Sequence, residues 1–246
     1  MSGAPRPAVP ARPAAPGRRC ALCGAPARPP FQAPSPELAP DLDLRPGEPT
    51  RSTLPKWIMT CRQCGLSAPD LVEPPARARE TMAGAEYQAL AGPGPERAVL
   101  RYALLSEAAG DRAEAAGAVL QAAWLRDDAG QDAGDLRRRA AALWAGTATM
   151  QEALSRVDAL RRAGEHEAAG TQAAALLARP ELNETDRAVL TYQQTLIAAG
   201  DTARHLMSSA LRPPAQRPHV THGRPAAPDP AKAPGKPGFW QRLLGR

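Results

Sequence analysis

From about residue 74 onward, apolar and small side chains recur at helical spacing. Ala113, Ala116, Leu120, Ala123 and Trp124 form one stripe. Met150, Ala153, Leu154, Val157 and Leu160 form a second, and Val189, Tyr192, Leu196 and Ala199 a third. Steps of three and four residues place such positions on one face of a helix, so each stripe predicts an amphipathic helix. Asn183-Glu184-Thr185-Asp186 reads as a helix start, with an Asn cap and acids in the first turn. Pro95 after Gly94 reads as another. The triplet Ala-Gly-acid recurs at 109–111, 163–165 and 199–201. In each, glycine would end one helix and the acid would open the next, where it faces the positive end of the helix dipole. The second interval, 36 residues, is near the ~34-residue period of helix-pair repeats. The first, 54 residues, leaves room for an extra helix around 132–146. The pattern predicts a mainly α protein with a degenerate, tetratricopeptide-like array of antiparallel helix pairs; an ordinary alanine-rich bundle is the alternative.

Upstream, the rhythm is different. Prolines 26, 29, 30, 34, 36 and 40 punctuate the chain, followed by Asp41-Leu42-Asp43-Leu44-Arg45-Pro46. Trp57-Ile58-Met59-Thr60 then reads as a short strand. It leads into Cys61-Arg62-Gln63-Cys64-Gly65, which repeats the form of Cys20-Ala21-Leu22-Cys23-Gly24. These two motifs hold all four cysteines. A Cys-x-x-Cys turn aims both sulfurs at one point, and the following glycine allows the positive φ that closes the turn. Two such turns offer the four soft ligands of a tetrahedral Zn²⁺, making Cys20, Cys23, Cys61 and Cys64 the expected ligands of a structural site. Arg18, Arg19 and Arg62 are placed to offset the resulting negative charge. Trp57 is expected to cover the site. Two other readings of the cysteines stay open. Redox-active dithiols need a lowered pKa and exposure. Structural disulfides need an oxidising compartment. The first residues carry arginine but no apolar run of signal-peptide length, and no stretch approaches a membrane span, so a cytoplasmic protein is expected.

Charge changes this picture little. The formal net charge is +6, but residues 1–35 hold five arginines and no acid, and residues 212–246 hold seven bases against Asp229. Residues 36–211 are therefore net −5. The basic balance lies in the tails, which are rich in Ala, Pro, Arg and Lys and too poor in bulky apolar residues to offset the entropy of ordering. The expected organisation is a disordered basic tail at 1–17, a zinc-ribbon-like four-cysteine module at 18–73 and an α-helical domain at 74–212. A disordered Pro-rich linker at 213–238 and a short amphipathic motif at 239–246 follow.

The first Cys-x-x-Cys-Gly, the Asp41–Pro46 run, Trp57-Ile58-x-x-Cys61-x-x-Cys64-Gly65-x-x-Ala68 and Trp124-Leu125-Arg126-Asp127-Asp128 together resemble a bacterial family, domain of unknown function 2225. The resemblance covers roughly residues 18–210. It implies a paired Cys-x-x-Cys zinc module followed by tetratricopeptide-like helices, and implies no reaction. Ala21 and Arg62 stand where the family often has proline, and Leu66 where it often has tyrosine. These departures would alter the outer wall of the knuckles without removing a ligand.

The remaining chemistry is sparse. His166 and His205 fall in expected helices as ordinary surface or interface residues, and His219 and His222 fall in the tail. Asp127-Asp128 reads as a solvated helix end and Arg137-Arg138-Arg139 as a solvated basic face. No phosphate loop, nucleophile elbow or catalytic carboxylate pair is present in the sequence. The expected function is a non-enzymatic zinc-binding adaptor with a protein partner and no small-molecule substrate. The alternatives are a nucleic-acid-binding zinc ribbon acting through the basic tails and a thiol redox sensor. The segment Phe239-Trp240-Gln241-Arg242-Leu243-Leu244-Gly245-Arg246 reads as a tethered docking peptide for a protein groove, with weak membrane contact as a lesser role.

Overall fold

A computed structural model describes residues 17–146 and 149–211. The two tails, His219, His222 and the motif at 239–246 lie outside the described residues. Among these residues the chain is mainly helical, with a four-cysteine cluster near its start.

The cysteine region carries one small antiparallel ladder, β1 (Met59–Thr60) with β2 (Ser67–Ala68), in which Met59 faces Ala68 and Thr60 faces Ser67. The expected strand at 57–60 is thus shorter at its start. Trp57 closes a 3-10 turn over Arg51–Lys56 instead, and its indole N–H donates to Thr53 Oγ1 at 2.9 Å. Two short helices follow, α1 (Ala78–Ala83) and α2 (Ala85–Ala89).

The helical array then runs through α3 (Pro95–Ala108), α4 (Arg112–Asp128), α5 (Gly134–Leu143), α6 (Met150–Arg162), α7 (His166–Leu177) and α8 (Glu184–Ala198). A last turn, α9, spans Met207–Ala210. Each of α3 to α8 packs against the next, and α6 also meets α8. The starts are capped as local chemistry demands. Pro95 sits in the first turn of α3. Asp111 accepts from Glu114 N–H, and Asn183 from Asp186 N–H. Thr149 and Glu152 cap α6 reciprocally. Gly110 and Gly164 take φ of 88° and 79°, ending α3 and α6 as the triplet pattern predicts.

Two expectations about the helices change. Helix α4 is buried without interruption from Ala115 to Trp124, so it is the central rod and not an amphipathic stripe. A helix apolar or small all round belongs inside a core; α3 and α5 flank it, and the 3-10 turn covers a further side. The third triplet does not start a helix. After Gly200 the chain runs on to pair with an upstream segment, with Leu42 N–H donating to the His205 carbonyl and Met207 N–H to the Pro40 carbonyl.

That upstream segment, residues 31–57, is a strap over the array. Leu54, Trp57 and Ile58 enter the core of α3, α4 and α5, whereas Leu42 enters the core of α6, α7 and α8. Between them lies a buried layer of charge. Asp43 accepts from Trp124 Nε1 at 2.8 Å and from Arg162 at 2.9 Å. Arg162 also reaches Asp127 at 2.9 Å, as does Arg137 at 2.5 Å. Arg45 pairs with Asp128 and lies 6.0 Å from the Trp124 ring centre. Asp127 is therefore a partner of α6 and Arg137 is buried against it, not part of a solvated end and face, whereas Asp128 stays half-exposed at the helix end while it pairs with Arg45 of the strap. Arg161 is fully buried and joins α6 to α8 through Asp158 and Gln193, at 2.7 and 2.8 Å. It also donates to the carbonyls of Asp201 and Ala203.

Candidate metal centre

The two cysteine turns have the same build. In the first, Gly24 N–H donates to the Cys20 carbonyl and Cys20 N–H to the Ala25 carbonyl. In the second, Gly65 N–H donates to the Cys61 carbonyl and Cys61 N–H to the Leu66 carbonyl. Both closing glycines adopt positive φ, 74° and 79°, a conformation in which a side chain would be strained. The repeat in sequence thus becomes a repeat in backbone geometry.

The turns face each other. Cys20 Sγ lies 3.7 Å from Cys64 Sγ, and Cys23 Sγ lies 3.6 Å from Cys61 Sγ. All four sulfurs fall within 4.8 Å of one another. A tetrahedral site with metal–sulfur bonds near 2.3 Å has edges of about 3.8 Å. The cluster matches that size, and the cysteines are free thiols, not disulfides. The structure thus brings together all four sequence-identified ligands in an arrangement able to hold a metal ion.

Electrostatics explains what a cation would do here. The N–H groups of Cys64 and Gln63 face Cys61; burial opposes them, yet with the neighbouring thiols they bring its pKa down to about 7. Burial and the surrounding thiols push Cys64 up to about 12. At Cys23 the Ala25 N–H favours the thiolate, but burial and the Cys61 thiol outweigh it and raise the pKa. Four adjacent thiolates repel one another, so a central cation is the natural means of ionising all four.

Residues outside the motifs hold the turns in place. Tyr87 on α2 donates its hydroxyl to the Gly65 carbonyl at 2.9 Å and accepts from Ser67 N–H at 3.1 Å. Arg79 on α1 donates to the Leu22 carbonyl at 2.8 Å, and Arg19 donates to the Gly24 carbonyl at 2.9 Å. Arg18 pairs with Asp70. Leu66 is fully buried and packs with Cys20 and Cys61. It forms the inner wall of the knuckle, not the outer one. Trp57 does not cover the site; it packs in the helical core. No sequence signal singled out Tyr87 or Arg79, because both lie on later helices and bind carbonyl groups that carry no residue identity.

The histidines lie elsewhere. His205 sits in the non-helical segment after α8, 2.9 Å from Asp201 and 3.3 Å from the Tyr192 hydroxyl. His166 opens α7. Among the described residues, no helix is long and apolar enough to cross a membrane. No protein-family model, curated protein or solved structure matches this chain.

Proposed function

We propose that Cys20, Cys23, Cys61 and Cys64 hold one structural Zn²⁺ in a zinc-ribbon-like module, and that the protein is a non-enzymatic adaptor built on a tetratricopeptide-like array. One observation carries the zinc reading: four protein sulfurs sit at tetrahedral edge distances of 3.6–3.7 Å where measured across the pairs. Four protein ligands complete the coordination and leave no position for substrate, which is the structural class of site. Tetrahedral sulfur donors favour zinc or iron over harder ions. The thiols argue against a redox sensor. Cys61, whose pKa is lowered to about 7, is buried, and the half-exposed Cys23 and Cys64 are pushed upward. Reactivity and access are thereby separated.

Kinship with domain of unknown function 2225 is part of this proposal. Its support is that the blocks carrying the resemblance, residues 41–46 and 124–128, interlock through Asp43, Arg45, Trp124 and Asp128. The adaptor reading is supported by apolar exposure at one seam. Leu38, Leu206 and Leu211 are the large hydrophobic residues left exposed among those described. All three lie within a few residues of the pairing between 40–42 and 205–207. Exposed apolar side chains gathered in this way suit a protein partner.

Metal analysis of the purified full chain tests the zinc reading: one zinc per chain is expected, and a folded chain with four titratable thiols and no metal would sink it. For the adaptor, a partner should be captured by the wild type and lost with Leu38→Glu and Leu206→Glu together. Nucleic-acid binding that survives this double substitution and deletion of both tails would replace the adaptor reading.

A further inference from the structure

A small cavity of about 50 Å³ lies where the strap crosses the α3–α4 hairpin, and no cysteine lines it. It exceeds the roughly 10–15 Å³ that a single water requires. Phe31 and Trp57 of the strap, Tyr102 of α3, and Glu114 and Gln121 of α4 line it. The whole chain has only nine aromatic residues, and three converge here.

Two acceptors in this lining, on Glu114 and Gln121, lack a positive charge or a partner. Glu114 accepts from the Tyr102 hydroxyl at 2.9 Å. The groups that act on it are its own burial, Tyr102 and Asp111 at the start of α4, none of them cationic. The nearest ammonium on the strap, Lys56, lies outside on Phe31, 5.6 Å from its ring centre. Gln121 is 3% exposed, and its amide oxygen has no hydrogen-bond partner. An unpartnered buried acceptor and a half-buried carboxylate without a counter-charge both cost free energy.

We infer that this cavity binds a small monovalent cation of ammonium size. Glu114 supplies the charge, Gln121 Oε1 accepts a second N–H, and the aromatic residues offer their negative faces to the rest of the ion. A divalent ion would need six or more oxygens, which the lining does not have. Tetramethylammonium has no N–H to donate to Glu114 and Gln121. Potassium is similar in size but has no N–H to donate, so it should bind less well than ammonium, and the ions can be separated by experiment.

The test is thermal unfolding of the full chain at pH 7.5 in sodium, potassium, ammonium and tetramethylammonium chloride at equal ionic strength. Ammonium, and potassium to a lesser extent, should raise Tm saturably by about 3 °C over sodium, and tetramethylammonium should not. Glu114→Gln keeps an acceptor for Tyr102 and should abolish the difference between ions. Line broadening of ¹⁵N-ammonium by the wild-type chain gives a direct readout that does not depend on any variant folding. Equal melting in all four salts with no broadening would mean that the cavity holds water only, and would overturn the proposal. An ammonium effect retained by Glu114→Gln would overturn the site.

Discussion

The cysteine cluster and the aspartate–arginine layer are both largely buried polar centres: the cluster joins the two turns on either side of the strap, and the layer fastens the strap to the helices. They solve the problem of buried charge differently. At the cysteines, like groups converge, and burial drives Cys64 up to about 12, so the centre needs a cation from outside. At the layer, opposite charges come from the chain itself. Burial and Asp158 raise the pKa of Asp43, while Arg162 opposes them. The first centre is a local cluster that a metal ion would complete. The second joins residues up to 119 positions apart and is complete once the chain folds.

The sharpest way to break the comparison is to remove each centre in turn. Cys61→Ser, or a strong chelator, should cost the most. Structural zinc contributes about 10–16 kcal/mol in isolated finger peptides, so the knuckles and β1–β2 should unfold. Far-UV circular dichroism should stay largely helical, because the cores of α3–α5 and α6–α8 contain no cysteine. Collapse of the whole array on chelation would show that the centres are not separable. Asp43→Ala or Arg161→Ala should follow, each losing about 3–5 kcal/mol by stranding buried charge. Here the metal should be retained and the denaturation midpoint of the helices should fall.

This contrast also marks how much was legible in the sequence. The convergence of the four cysteines was, because a paired Cys-x-x-Cys cluster is written in short spacing and residue type. The starts of α3 and α8 were, because caps act within one turn. The centrality of α4 was not: alanine-rich sequence fits a half-buried stripe as well as a rod buried from Ala115 to Trp124, and only its neighbours decide. Nor was the charged layer. Asp43, Asp127 and Arg162 carry no shared spacing, and a lone Asp-Asp or Arg-Arg-Arg is ordinarily solvated. The Thr149–Glu152 capping box has a local signature of the same legible kind, Thr-x-x-Glu.

Acidity sharpens the comparison, because the two sides of the molecule respond with opposite sign. Burial, against the help of the Tyr102 hydroxyl, raises Glu114 from 4.5 to about 7. The folded chain thus holds a proton there that the unfolded chain has released. Its contribution is complete below about pH 4.5 and is lost as pH rises towards 7, a change of about 3 kcal/mol. Metal-bound cysteines act the other way, since protons displace the metal as pH falls. Glu114→Gln should remove the downward slope of stability between pH 5.5 and 7 in melts where metal content is held constant. An unchanged slope would assign it to another group.

The smallest expected effect tests whether the helices tune the metal centre at all. Tyr87 is the one α2 side chain that bonds to the second knuckle in both directions, through the Gly65 carbonyl and Ser67 N–H. Tyr87→Phe removes the hydroxyl and keeps the ring, which packs beside the cysteines. The stability cost should be only about 1–2 kcal/mol, the range for losing a buried hydrogen-bonding group. Metal release should respond more than global stability does. Groups that orient ligands without touching the metal commonly change affinity by about 10–100-fold when removed. The Gly65 carbonyl and Ser67 N–H fix the turn that aims Cys61 and Cys64, so loosening them should weaken those two sulfurs. Competition with a chromogenic chelator should therefore show release at least several-fold faster in the variant, with an almost unchanged helical melt. Equal release rates would mean that the second knuckle holds its geometry without the Tyr87 hydroxyl.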